Sequence, residues 1–124
     1  MKNIIDISKI KIAVLLIVLF IAIVGITSFA ATSGSISGWY SNNYANATVT
    51  NTNSNSRYCE VFIQGGSTPN SLPTIKYSSG TISSGNSLSI GKNTSATYIR
   101  ARGVVYSGGS PNAGVGWSGI KWLK

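Results

Sequence analysis

Two stretches of this chain alternate with a period of two. In Tyr44–Asn51 (YANATVTN), Ala45, Ala47 and Val49 fall on one side and Asn46, Thr48 and Thr50 on the other. In Tyr98–Tyr106, Ile99, Ala101, Gly103 and Val105 face one way, and Tyr98, Arg100, Arg102 and Val104 the other. Successive side chains of a strand point to opposite faces, so this spacing selects half-buried β-strands. Arg57–Gln64 carries apolar residues on both sides, with Cys59, Val61 and Ile63 against Tyr58 and Phe62, as an interior strand does. After residue 30 no stretch repeats its apolar residues at helical spacing, so no long helix is expected there.

Turn signals separate these runs. NTNSNS (51–56), GGSTPNSLP (65–73) and SGGSPN (107–112) combine residues that bond to their own backbone with prolines and glycines that cannot sustain a ladder. TIKYSS (74–79) and SLSI (87–90) read as short strands around a turn at 80–86. The pattern predicts an all-β fold, a small antiparallel β-sandwich or alternatively a small barrel. Tyr44–Asn51 and Arg57–Gln64 are expected to form a hairpin across NTNSNS. A second hairpin is expected between Tyr98–Tyr106 and Ala113–Trp122. Pairing Tyr106 with Ala113 places Arg102 opposite Trp117, Val104 opposite Val115, Ile99 opposite Ile120 and Tyr98 opposite Lys121.

The N-terminus has a different character. Ile12–Ile26 contains no charged or polar side chain, and Lys2, Lys9 and Lys11 precede it. A basic start, an apolar core and the small-residue exit Ser28-Phe29-Ala30 make the layout of a secretory signal peptide over 1–30. The alternative is a retained membrane anchor over 12–31, which as a helix would reach about 30 Å and span a bilayer. In either case the lysines stay inside and the rest is exported. Residues 31–38 then read as a flexible lead-in and 39–124 as a single extracellular β domain.

Export bounds the chemistry. Cys59 is the only cysteine, so no intrachain disulfide can form; it is read as a small buried residue, with a bridge between chains as the alternative. There is no histidine, and beyond residue 30 Glu60 is the only carboxylate side chain. Paired-carboxylate, Ser-His-Asp and Cys-His catalysis therefore lack their parts, and metal or cofactor sites lack their ligands. No enzymatic activity and no cofactor are expected. The formal net charge is +8. Beyond the leader Arg57, Lys76, Lys92, Arg100, Arg102, Lys121 and Lys124 face a single acid, which favours anionic partners.

One line of residues stands out as a binding surface. Tyr98, Arg100 and Arg102 share a strand face, and the expected register adds Trp117 and Lys121 beside them. Such a basic-aromatic platform suits an anionic or sugar-bearing surface, with Arg over Trp contributing about 0.5–2 kcal/mol. The competing reading is an outward face kept soluble by arginines whose stems cover Trp117.

Tyr40-Ser41-Asn42-Asn43-Tyr44 followed by Ala47-Thr48-Val49-Thr50-Asn51 resembles lactococcin-type bacteriocins, which implies a small secreted β-sandwich. This chain lacks that family's histidines and its exported part is longer, so no site residue is carried over. Together these features predict a secreted, non-catalytic domain that binds cell-envelope surfaces, with bacteriocin-like activity one form of this. An anionic wall polymer or membrane is the expected partner, and nucleic acid is not. The alternative is a structural or assembly protein of the cell surface, held by its N-terminal helix.

Overall fold

A computed structural model describes residues 31–124. The signal-peptide and anchor readings of the N-terminal stretch lie outside the described residues. Seven strands follow one another: β1 (Gly34–Ser41), β2 (Tyr44–Asn51), β3 (Arg57–Gly66), β4 (Thr74–Ile82), β5 (Ser87–Asn93), β6 (Tyr98–Tyr106) and β7 (Val115–Trp122). They form two antiparallel sheets, ordered β1-β2-β5 and β4-β3-β6-β7. The expected sandwich is what the strands build, two open sheets rather than a closed barrel. A constant-type immunoglobulin sandwich sets four strands on its first sheet and three on the second. Here the fourth strand stays beside the third and that division is reversed.

The alternation read from β2 and β6 supplies the core. Ala45, Ala47 and Val49 face Cys59, Val61, Ile63, Ile99, Ala101 and Val105, all fully buried. Burying side chains of the Val and Ile class is worth about 1.5–3 kcal/mol each. No disulfide assists, because Cys59 is itself a buried, free member of this core. Burial alone raises its thiol pKa.

The lead-in expected over 31–38 is instead half of a strand. Gly34 to Ser41 pairs along its length with β2, and Ile36 packs on the core. The compact unit runs from Thr32, and its first strand begins at Gly34, ahead of the Trp39 expected from the sequence. Ser-Ile-Ser offers a single apolar residue, too little for sequence alternation to register. The β1–β2 turn is Asn42-Asn43, at φ 51° and 60°. A two-residue hairpin with both central residues left-handed is the turn whose twist suits strands, and Asn tolerates that region.

The hairpin expected between β2 and β3 is absent. Both sides of β2 are taken by β1 and β5, and both sides of β3 by β4 and β6. NTNSNS carries the chain from one sheet to the other, and Asn51 organises the crossing. Asn51 is fully buried; its Nδ2 donates to Asn55 O (2.9 Å) and Ile82 O (2.8 Å). Its Oδ1 accepts from the backbone N–H and the Nδ2 of Asn53, both at 3.0 Å. One amide thus joins the end of β2, the crossing segment and the end of β4.

Edge strands β4, β5 and β7 each carry one lysine at a core-facing register position. Lys76 lies opposite Ile63, Lys92 opposite Ala45 and Lys121 opposite Ala101, and all three are exposed. An inward-pointing charge on an edge discourages pairing with another sheet.

Candidate functional site

The β6–β7 hairpin forms, but in a different register from the expected one. Arg102 pairs with Ile120, Val104 with Ser118 and Val105 with Trp117. Arg102 therefore lies opposite Ile120, three residues from the expected Trp117. The cause is the connection. Pro111–Ala113 makes a 3₁₀ turn, Ser107 N–H donates to Gly114 O (2.9 Å), and the ladder is irregular between Val105 and Tyr106. Because side chains alternate, an odd shift turns every residue of β7 over.

Three of the five expected site residues share the outer face of the four-stranded sheet: Tyr98, Arg100 and Arg102. Trp117 and Lys121 stand on the inner side, opposite the buried Val105 and Ala101. Trp117 is half-buried against the core. A Cβ on Gly34 would come within 2.6 Å of its ring, and one on Gly119 within 2.7 Å. Glycines on β1 and β7 thus make the slot that Trp117 fills, closing the seam between the sheets. Lys121 is one of the edge lysines.

Other residues replace them. Across the outer face run the rows Tyr77–Phe62–Arg102–Ile120 and Ser79–Glu60–Val104–Ser118, then the pairs Thr81–Tyr58 and Tyr106–Val115, with Gln64, Arg100 and Trp122 in a further row. Arg102 lies over the Phe62 ring at 5.2 Å and Arg100 over Trp122 at 5.7 Å, both within cation–π range. Phe62 contacts Tyr77 with centroids 4.9 Å apart, and Tyr58 meets Tyr106 edge-on at 5.0 Å. Gln64 Oε1 accepts from Arg100 Nε at 2.6 Å and fixes that side chain. Trp122 is 50 % exposed, Ile120 52 % and Tyr77 45 %, so an apolar border lines the arginines.

Glu60 sits within this face with both oxygens engaged. Tyr77 Oη donates to Oε2 at 2.6 Å and Tyr106 Oη to Oε1 at 2.5 Å. The hydrogen bond to Glu60 pushes the Tyr77 hydroxyl up to about 12, and the same bond raises Tyr106. The domain's lone acid is thus capped by two phenols.

Part of this site was visible in the sequence and part was not. The second apolar side of β3 announced Tyr58 and Phe62. Ile120 and Trp122 depend on the β7 register, and Tyr77 depends on β4 pairing with β3, which a serine-rich strand does not signal.

No protein-family model matches the chain, and no curated protein matches it either. Among solved structures it is similar to the crystal structure of Bifidobacterium adolescentis GH3 beta-glucosidase, at 14 % identity and a TM-score of 0.32. That similarity covers 74 % of this chain and 17 % of the other, and it is too slight to carry any argument.

Proposed function

We propose that this is a secreted, non-catalytic domain that binds anionic polymers or membrane of the cell envelope through the outer face of its four-stranded sheet. The observation that carries this reading is the pair of guanidinium groups placed over aromatic rings, Arg100 over Trp122 and Arg102 over Phe62. An arginine held over a ring still has guanidinium donors to offer phosphate or carboxylate oxygens. Glu60 spends both oxygens on Tyr77 and Tyr106 rather than on these arginines. Activity against neighbouring cells would be one consequence of such contact. Assembly through sheet edges is the less favoured reading, because lysines guard three of the four edges, β4, β5 and β7, and only β1 lacks one.

The test is co-sedimentation with phosphatidylglycerol vesicles and with phosphate-bearing wall polymer. Arg100→Glu combined with Arg102→Glu should weaken binding at least about tenfold at low salt, and wild-type binding should fall steeply as salt is raised. Binding that the double variant leaves unchanged refutes the proposal.

A further inference from the structure

We propose that the outer face of the other sheet, β1-β2-β5, is a second binding surface and that its ligand is an uncharged polysaccharide. Its outward register positions hold Ser35, Ser37, Trp39 and Ser41, then Tyr44, Asn46, Thr48 and Thr50, then Ser87, Ser89, Gly91 and Asn93. None is charged, although the chain as a whole is strongly basic. The face is therefore mismatched to an anionic partner and needs no ion desolvated to be covered.

Its apolar content is confined to two rings. Trp39 and Tyr44 lie 5.6 Å apart at a tilt of 37°, with 52 % and 36 % of their surface exposed. Tyr44 reaches across to Gly91, where any Cβ would collide with its hydroxyl, so that glycine holds the ring down on β5. Covering a bare glycine accounts for Tyr44 as a structural device. It does not account for Trp39, which sits on an edge strand with half its surface in water.

Beside the rings runs an ordered array of hydroxyls. Thr48 and Ser89 share a hydrogen bond of 2.6 Å, and Thr50 and Ser87 one of 2.7 Å. Asn46 Nδ2 donates to Ile90 O at 3.2 Å, which fixes an amide between Trp39 and Gly91. Each hydroxyl pair spends one proton internally and keeps another for a ligand, and the two pairs follow each other at about 6.8 Å along the strands. A sugar ring has an apolar C–H face and a rim of hydroxyls. The paired rings match the first and the hydroxyl rows match the second. A protein partner would look instead for a wider apolar centre than two side chains supply.

The experiment is pull-down of the exported domain with insoluble cellulose, chitin and β-1,3-glucan particles in about 0.5 M salt, where charge-driven adsorption is screened. Wild type should be retained on at least one of these. Trp39→Ala should bind about tenfold more weakly, while Trp39→Tyr, which keeps an exposed ring on the same strand, should retain most of the affinity. The Arg100→Glu/Arg102→Glu variant should bind these particles as wild type does, which separates this surface from the arginine face. Retention on none of the three, or equal retention of Trp39→Ala and wild type, overturns the proposal.

Discussion

Asn51 is the residue whose replacement tests the architecture most directly. Its side chain uses all of its capacity without water: two donors to Asn55 O and Ile82 O, and an oxygen accepting twice from Asn53. Asn51→Ala removes these bonds from a fully buried side chain and leaves the carbonyls of half-buried Ile82 and exposed Asn55 without that donor. Each orphaned buried group costs about 1–3 kcal/mol. Solvent can reach the exposed crossing segment and relieve part of this, so a loss of about 3 kcal/mol is expected, a large share of a stability of roughly 5–15 kcal/mol. Asn51→Asp has nearly the same shape yet should be worse than alanine at pH 7, because a carboxylate would face two carbonyls that need donors. That geometry raises the folded-state pKa of the new acid above its unfolded value of about 3.9. The deficit relative to Asn51→Ala should therefore shrink as pH falls through the folded-state value, where a proton restores one donor. Urea unfolding followed by tryptophan fluorescence at several pH values reads both effects. A loss under about 1 kcal/mol for Asn51→Ala, or a constant gap between the variants across pH, would refute the role assigned to this amide.

Other substitutions address the core and the arginine face. Trp117→Ala should cost about 2–4 kcal/mol in chemical denaturation, since it empties the slot between Gly34 and Gly119 while leaving the outer face intact. Cys59 should resist a thiol reagent in the native protein and react on unfolding, because burial both hides the thiol and disfavours its thiolate; reaction at the native rate of a free thiol would contradict its placement. Spectrophotometric titration should find Tyr77 ionising near 12, and Glu60→Gln should bring it down toward 10. The stabilisation from this bond is present below the unfolded tyrosine value of about 10 and disappears as pH rises through the folded one. Replacing Arg100 and Arg102 together by lysine should weaken vesicle binding severalfold although the charge is unchanged, whereas Lys76→Arg should have no effect.

What the sequence showed well was periodicity, and what it showed poorly was partnership. Val49, Val61, Ile99 and Val105 could be assigned to a core from alternation alone, and β3 could be assigned to an interior position from its two apolar sides. Neither inference needs to know which strand is the neighbour. The expected β2–β3 hairpin does not form because neighbours in sequence are not neighbours in a sheet here: NTNSNS crosses between sheets and is tied by Asn51. Nothing in that polar run distinguishes a hairpin loop from a crossing one. The β6–β7 register failed on loop geometry: a 3₁₀ turn and an irregular ladder step absorb residues that a simple loop would leave in the strand. Cross-strand chemistry looked satisfactory in both registers, Arg beside Trp in one and Arg beside Ile and Phe in the other. Only the backbone decided between them. β1 escaped notice for a different reason, since Ile36 is flanked by serine and glycine and becomes apolar structure only once Val49 and Gly103 lie beneath it.

Six of the seven cations among the described residues are divided by type, and Lys124, whose ammonium lies 4.8 Å over the Tyr40 ring, is the exception. Lysines occupy the edges at Lys76, Lys92 and Lys121, where a strongly hydrated ammonium on a flexible stem keeps other sheets away. Arginines occupy positions where the flat group has something to lie on or bond to. Arg100 and Arg102 lie over the rings of Trp122 and Phe62, and Arg57 donates to Ser107 O and to Thr32 Oγ1 (3.4 Å) at the end of the sandwich. Had the charge served solubility alone, either residue type would do at either place, because a diffuse field does not distinguish an ammonium from a guanidinium. The segregation instead follows the geometry that each group needs. It leaves the hydroxyl face of the opposite sheet neutral, so the two broad surfaces of one small sandwich differ in both charge and hydrogen-bonding character.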